Sequence, residues 1–247
     1  MSISLADYEQ RAAEAVALFW MTRGAARAKQ TTGVDVGGRS AVTGGKNMDG
    51  FIQLLEAVVL ENGLPEASIF NAVRQHRIER HTTLPGYYRP VKDWDLLVVH
   101  HGRLIAALEF KSQVGPSFGN NFNNRCEEAI GMGEDLRVAF REGRLGSSTR
   151  PFVGYLMLLE DTVASRSPVR KPSRHFSEDP IFEDASYAGR YEILCRRLMR
   201  EGLYSAAALI LSQANRGFQG IYTEMSEETG LKQLIAGFAS HIAAASI

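Results

Sequence analysis

Long apolar runs are missing. Although 45% of the 247 residues are hydrophobic, no stretch reaches the ~18 uninterrupted apolar positions that a membrane-spanning helix needs. Cysteine is scarce: Cys126 and Cys195 are the only two, each inside a helix-patterned stretch. Two isolated cysteines cannot frame a disulfide scaffold, which points to a reducing, cytoplasmic setting. The opening residues MSISLADYEQRAAEA carry acids and no basic-then-apolar pattern, so no export signal and no membrane partner are expected. An excess of either charge is also missing, with 28 basic residues against 28 acidic ones. Proteins that coat nucleic acid indiscriminately are usually basic, so contact with DNA or RNA would have to come from a local patch. Internal repeats, low-complexity tails and obvious linkers are absent too. Residues 1–247 therefore read as a single domain.

What is present has clear periodicity. Residues 5–28 have helical spacing through Leu5, Tyr8, Ala12, Ala15, Val16, Phe19 and Trp20. The glycine-rich TTGVDVGGRSAVTGGKN reads as a loop, and a second helix is predicted from Asp49 to Glu61, stopped by Asn62-Gly63 and Pro65. The period then changes. DLLVV and LIAALEFK are two short apolar runs separated by His101-Gly102, the pattern of a hairpin of buried strands. Helix is predicted over 125–142, strand over 152–160 and helix near 187–201, while LYSAAALILSQ fits strand or helix equally. The tail from Ser226 onward reads as an amphipathic helix, with residues 227–245 available to close a dimer. Such an order of elements belongs to an α/β fold, a sheet covered by helices.

The chemistry concentrates in the hairpin. Side chains at i and i+2 of a strand share a face, so Glu109 and Lys111 point one way and Phe110 the other. A tight turn at His101-Gly102 would bring Asp95 beside Glu109 at one end of the two strands. Two carboxylates and an ammonium on a mostly apolar hairpin are costly unless something uses them. A divalent cation would: Mg²⁺ favours carboxylate oxygens while keeping several waters, and it can activate water against a phosphodiester. Lys111 would then orient that water or neutralise developing charge. On spacing alone, a strand-end ion pair worth ~0–1 kcal/mol accounts for Glu109 and Lys111 equally well. Asp93 competes with Asp95 on the same pleat face, but Asp95 directly abuts the buried run. Glu56 interrupts the apolar stripe of the second helix between Ile52 and Val59, either at its edge or as a third acid of the site.

The stretch around these residues, RPVKDWDLLVVHHGRLIAALEFKSQVGPSFGNNFNNRCEEAIG, resembles the PD-(D/E)xK nucleases, and within them the XhoI family of type II restriction endonucleases. GGRSAVTGGKNMDGF (37–51), ENGLP (61–65), TLPGYYRP (83–90), VGPSFGNNFNNR (114–125), ASY (185–187) and RYEILCRRL (190–198) carry the same resemblance in order. It covers roughly residues 5–200 and fades after about residue 203. The resemblance implies a restriction-endonuclease-like core, a central mixed β-sheet flanked by helices. It further implies Mg²⁺-dependent cutting of both strands of double-stranded DNA at the palindrome CTCGAG, after the first C, leaving 5′-phosphate and 3′-hydroxyl ends. The motif's metal-binding acids fall on Asp95 and Glu109 and its lysine on Lys111. The literal Pro-Asp pair is absent, since Trp94 precedes Asp95 and Pro90 lies five residues before it. A palindromic target suits a two-fold homodimer. Such an enzyme also implies a cognate DNA methyltransferase, a separate protein.

Candidate DNA-binding residues lie in loops. Arg39 and Lys46 sit on the first glycine-rich segment. Arg166, Arg170, Lys171, Arg174 and His175 sit on the connector after the third predicted strand. In GNNFNNR, Asn124 with Glu127 three residues later looks like a helix N-cap. That leaves Asn120, Asn121, Asn123 and Arg125 as turn formers or DNA contacts. Tyr87 and Tyr88 read as packing residues, with DNA contact as the alternative. His100-His101 reads as exposed turn. Two rival functions remain at this level: a PD-(D/E)xK nuclease of repair or junction resolution, and a DNA-binding protein without catalysis.

Overall fold

The computed structural model describes residues 3–31, 45–71, 81–146, 149–169 and 173–247, without the side chains of 26–31 and 45–46. In chain order its strands are β1 (Ile69–Asn71), β2 (Thr83–Pro85), β3 (Val91–Asp93), β4 (Leu96–His100), β5 (Arg103–Gln113), β6 (Phe152–Glu160), β7 (Ala206–Ser212) and β8 (Thr223–Glu224). Six of them form one mixed sheet in the order β1-β4-β5-β6-β7-β8, and β2 pairs with β3 as a separate ribbon. The neighbours β5, β6 and β7 run parallel, and the outer pairings are antiparallel. The longer helices are α1 (Tyr8–Thr31), α2 (Asp49–Glu61), α3 (Phe118–Arg141), α4 (Tyr187–Arg200) and α5 (Leu231–Ala245).

Strand periodicity divides the interior in two. Leu96, Leu108, Phe110, Leu156 and Ile210 pack with Phe19, Phe51 and Phe238 on the face covered by α1, α2 and α5. The alternate residues Leu97, Ala107, Val153, Met157 and Leu209 pack with Phe122, Tyr191 and Leu198 on the face covered by α3 and α4. A mixed sheet with helices on both faces is thus the observed architecture, as the resemblance implied. Burial on both faces also explains why LYSAAALILSQ was ambiguous: β7 is buried at every position, so no polar alternation marks it as strand.

The hairpin turn forms at the expected place. His101 and Gly102 have φ of 50° and 71°, the paired left-handed residues of a two-residue turn whose twist matches the flanking strands. Helix α2 has the expected bounds. The Asn62 side-chain amide donates to the Val58 and Ser4 carbonyls, each at 2.8 Å, where the helix ends.

Two expectations about helix starts are overturned. Helix α3 begins at Phe118, not near residue 125, so Asn124 lies inside the helix and caps nothing; the N-cap position is Ser117. Asparagine is a weak helix former, but tertiary packing outweighs that preference. Phe118 and Phe122, one turn apart, are both buried, with rings 5.8 Å from Tyr187 and 5.0 Å from Tyr191 respectively. The last helix starts at Leu231, not near Ser226. The hydroxyls of Ser226 and Thr229 instead donate to the carboxylate of Glu192. Leu234, Ile235, Phe238 and Ile242 of α5 are buried in the chain's own core, so this stripe is not free to close a dimer. Among the described residues no helix is long and apolar enough to cross a membrane.

Candidate active site

Leu96 of β4 stands opposite Leu108 of β5. The next position outward on each side is Asp95 and Glu109, so register alone delivers the two carboxylates to the same end of the pair. The Phe110 amide donates to Asp95 Oδ2 at 2.7 Å. Burial pushes the Asp95 carboxyl up most, and Glu109 pushes it further. Lys111, the Phe110 amide and Lys92 pull it back, leaving its pKa at about 6. Glu109 is 2% exposed. Lys111 Nζ donates to its Oε1, and Lys92 Nζ lies 3.2 Å from its Oε2. One buried carboxylate thus holds two ammonium groups, which offsets the cost of its own desolvation.

Lys111 stands where two depressions meet. A cleft of 490 Å³ is lined by Arg23, Asp95, Lys111, Asn121 and Arg125 among others. A second of 460 Å³ is lined by Arg89, Lys92, Glu109, Lys111, Glu127 and Glu128 among others. The acids of the site therefore open toward different sides, with the lysine between them.

The β2–β3 ribbon sits beside the second depression, and a buried acid of α3 sets its tip. Asp135 Oδ1 accepts from the amides of Tyr87 at 2.7 Å and Tyr88 at 2.8 Å, and Oδ2 accepts from Arg89 Nε at 2.7 Å. A Cβ on Gly86 would lie 2.6 Å from Asp135 Oδ2, so only glycine fits there. Tyr87 and Tyr88 are 47% and 68% exposed, against the expectation that they pack. Their backbones are needed to bind Asp135, which turns the rings outward and edge to face. Asp135, Arg89 and Lys92 escaped the sequence reading. Lys92 carried a signal: it shares a pleat face with Trp94, and its ammonium lies 5.4 Å over that ring.

The other candidates divide clearly. Glu56 is buried and accepts from the Asn71 side chain on the α2 face of the sheet. Asn71 stands opposite Leu96, so Glu56 is close in the fold but belongs to the opposite core. Among the described residues no three of His, Cys, Asp and Glu form a metal-holding group, so Glu56 is not gathered with Asp95 and Glu109. Asp93 is exposed and bound by Thr83. Asn121 and Arg125 line the cleft, while Asn120 and Asn123 are exposed on α3. Arg166 is held by Asp161 at 2.7 and 3.2 Å, and Arg174 and His175 are exposed. Arg39, Arg170 and Lys171 lie outside the described residues, and of Lys46 only the backbone is described.

Two crowded carboxylates, one raised to about 6 partly by the other, make a donor set of hard oxygens. A divalent cation that retains waters suits it without a third acid.

Comparison with known proteins decides the kinship. The family model described as Restriction endonuclease XhoI matches residues 27–224, most of the chain. The chain belongs to the XhoI restriction endonuclease family. Its relatives include the type II restriction enzyme XhoI of Xanthomonas vasicola, 48% identical over 216 residues covering 87% of this chain and 85% of that protein. The type II restriction enzyme BstVI of Geobacillus stearothermophilus is 43% identical over 220 residues, covering 87% and 95%. The type II restriction enzyme AbrI of Azospirillum brasilense is 52% identical over 177 residues, covering 71% and 77%. No solved structure matches the chain. For this XhoI-family chain, the matched span includes every strand of the central sheet and Asp95, Glu109 and Lys111, while Arg23 of the first depression lies just before it.

Proposed function

We propose that this restriction endonuclease hydrolyses both strands of double-stranded DNA at the palindrome CTCGAG, after the first C, and leaves 5′-phosphate ends. The observation that carries the reading is Asp95 and Glu109 at the end of the β4–β5 pairing with Lys111 on Glu109, within a family of type II enzymes. The sheet is then a PD-(D/E)xK core and the chain a single domain. Asp95 and Glu109 would hold a Mg²⁺, which when bound polarises the scissile phosphodiester and acidifies a water. The Phe110 amide fixes Asp95 Oδ2 and so leaves its other oxygen for that ion. Lys111 positions the attacking water and Lys92 neutralises charge on Glu109; both already lie against that carboxylate. Glu56 acts at a distance, by holding Asn71 behind Leu96.

Two copies related by a two-fold axis would each cut one strand. Asn121, Arg125, Arg174 and the basic residues Arg39, Lys46, Arg170 and Lys171 would serve DNA binding. The enzyme would work in the cytoplasm opposite a methyltransferase of the same specificity. Digesting a plasmid with Mg²⁺ and sequencing the ends tests the proposal. Discrete fragments ending at CTCGAG are expected from wild type and none from Glu109→Ala. Ragged, sequence-independent cutting would point instead to a structure-selective nuclease. Intact DNA with wild type would remove catalysis altogether.

A further inference from the structure

Helix α1 buries Ala12, Ala15, Val16, Phe19 and Trp20. The next position of that stripe, four residues beyond Phe19, is Arg23. An arginine where an apolar residue would continue the core is costly unless its charge is used. Its guanidinium lies 5.8 Å over the Phe19 ring and lines the cleft of Asp95, Lys111 and Arg125. Among the described residues it makes no hydrogen bond and no ion pair. Burial lowers its pKa, and Glu160 opposes that only through space. The carboxylate of Glu160 is itself engaged by the Gly115 amide at 2.8 Å.

The platform under Arg23 is rigid. Trp20 Nε1 donates to Ser212 Oγ of β7 at 3.0 Å, and Phe19 meets Trp20 edge-on at 5.2 Å. Across the sequence, on α3, Arg125 gives Nη1 to Glu128 at 2.5 Å, and its side chain is 26% exposed. Two guanidiniums therefore line one cleft that also holds Asp95 and Lys111. Its lining carries three cations and one acid; Lys111 and Arg125 are paired with Glu109 and Glu128, so Arg23 is the cation that, among the described residues, remains for an anion. Guanidinium is the side chain best shaped for a phosphodiester.

We infer that Arg23 and Arg125 form a clamp on a DNA backbone phosphate beside the scissile one. This rests on the nuclease reading above and adds a DNA-contacting residue from α1, just before the span that the family model matches.

The test is the salt dependence of binding. A duplex containing CTCGAG is titrated in EDTA, where no strand is cut, at about 50 to 200 mM salt. Arg23→Gln should weaken binding roughly tenfold at fixed salt. It should also flatten the slope of log affinity against log salt by ~0.9 per lost phosphate contact, or ~1.8 for a two-fold pair. Arg23→Lys, which keeps the charge, should restore the slope but not the full affinity. Should the glutamine variant fail to fold, Arg23→Met keeps an apolar stem over Phe19 and carries the same prediction. An unchanged slope in either neutral variant, with wild type binding and cutting normally, overturns the clamp alone. If wild type neither binds this duplex nor cuts DNA, the nuclease reading falls and the clamp with it.

Discussion

Asp95→Asn should make the metal-free protein more stable while destroying its activity. The carboxyl of Asp95 is raised from its ordinary 3.8 to about 6, first by burial and then by Glu109. A raised acid binds its proton more tightly when folded. Its charged form therefore penalises folding above the folded pKa, and the penalty disappears as pH falls toward the unfolded value. The displacement from 3.8 to about 6 corresponds to a penalty of ~3 kcal/mol at neutral pH, about half of that at pH 5 and little at pH 4. Asparagine removes the charge yet can still accept from the Phe110 amide through its side-chain oxygen. For a chain of 247 residues, ~3 kcal/mol raises the midpoint of thermal unfolding by about 6–12 °C as an upper figure. The assay is thermal unfolding of both proteins in EDTA from pH 4.5 to pH 8. The gap should open with rising pH, and added Mg²⁺ should close it by stabilising wild type alone. A gap that is absent, or constant across that range, would refute the picture of a crowded, desolvated carboxylate.

Other outcomes follow from single contacts. Asp135→Ala removes two backbone bonds and one from Arg89. It should cost about 2–4 kcal/mol and expose the Tyr87–Tyr88 tip to limited proteolysis. Burial raises the Asp135 carboxyl, but those three bonds outweigh it and hold the pKa below ordinary. Its contribution is therefore present at neutral pH and lost as pH falls through that lowered value, visible as a wild-type minus Asp135→Ala difference that shrinks in acid. Gly217→Ala would place a Cβ 1.9 Å from the Trp20 indole. It should cost about 2 kcal/mol or more, with a shifted tryptophan emission as readout. Phe122→Ala should cost about 3 kcal/mol and fray the start of α3. Its melting temperature and its DNA affinity should then fall together.

Much of the fold and its centre was legible because strand alternation is a strict rule. Glu109, Lys111 and Asp95 could be placed together from period and turn chemistry, and the His101-Gly102 turn formed where expected. Legibility ended where distant partners decide. Nothing local in GNNFNNR announces a helix; Tyr187 and Tyr191, some seventy residues later, make it one by burying Phe118 and Phe122. Ser226 and Thr229 looked like the start of a helix, but Glu192 on α4 takes their hydroxyls. Tyr87 and Tyr88 looked like packing until Asp135 of α3 claimed their backbones. Glu56 was marked by breaking an apolar stripe, whereas Arg23, at the end of the α1 stripe, drew no reading from the sequence. Only the fold tells that one faces Asn71 and the other a cleft.

Because the asparagine cluster is helical, its members are spread by angle rather than gathered. Each step along α3 turns by about 100°. Arg125 lies about 40° around from Asn121, whereas Asn120 is turned about 100° back and Asn123 about 200° on. One amide of the cluster thus shares a bearing with the cleft arginine, and Asn121 is the asparagine of the cluster that lines the cleft. The rest fan out around the rod, so a single approaching surface can meet only a subset of them at once.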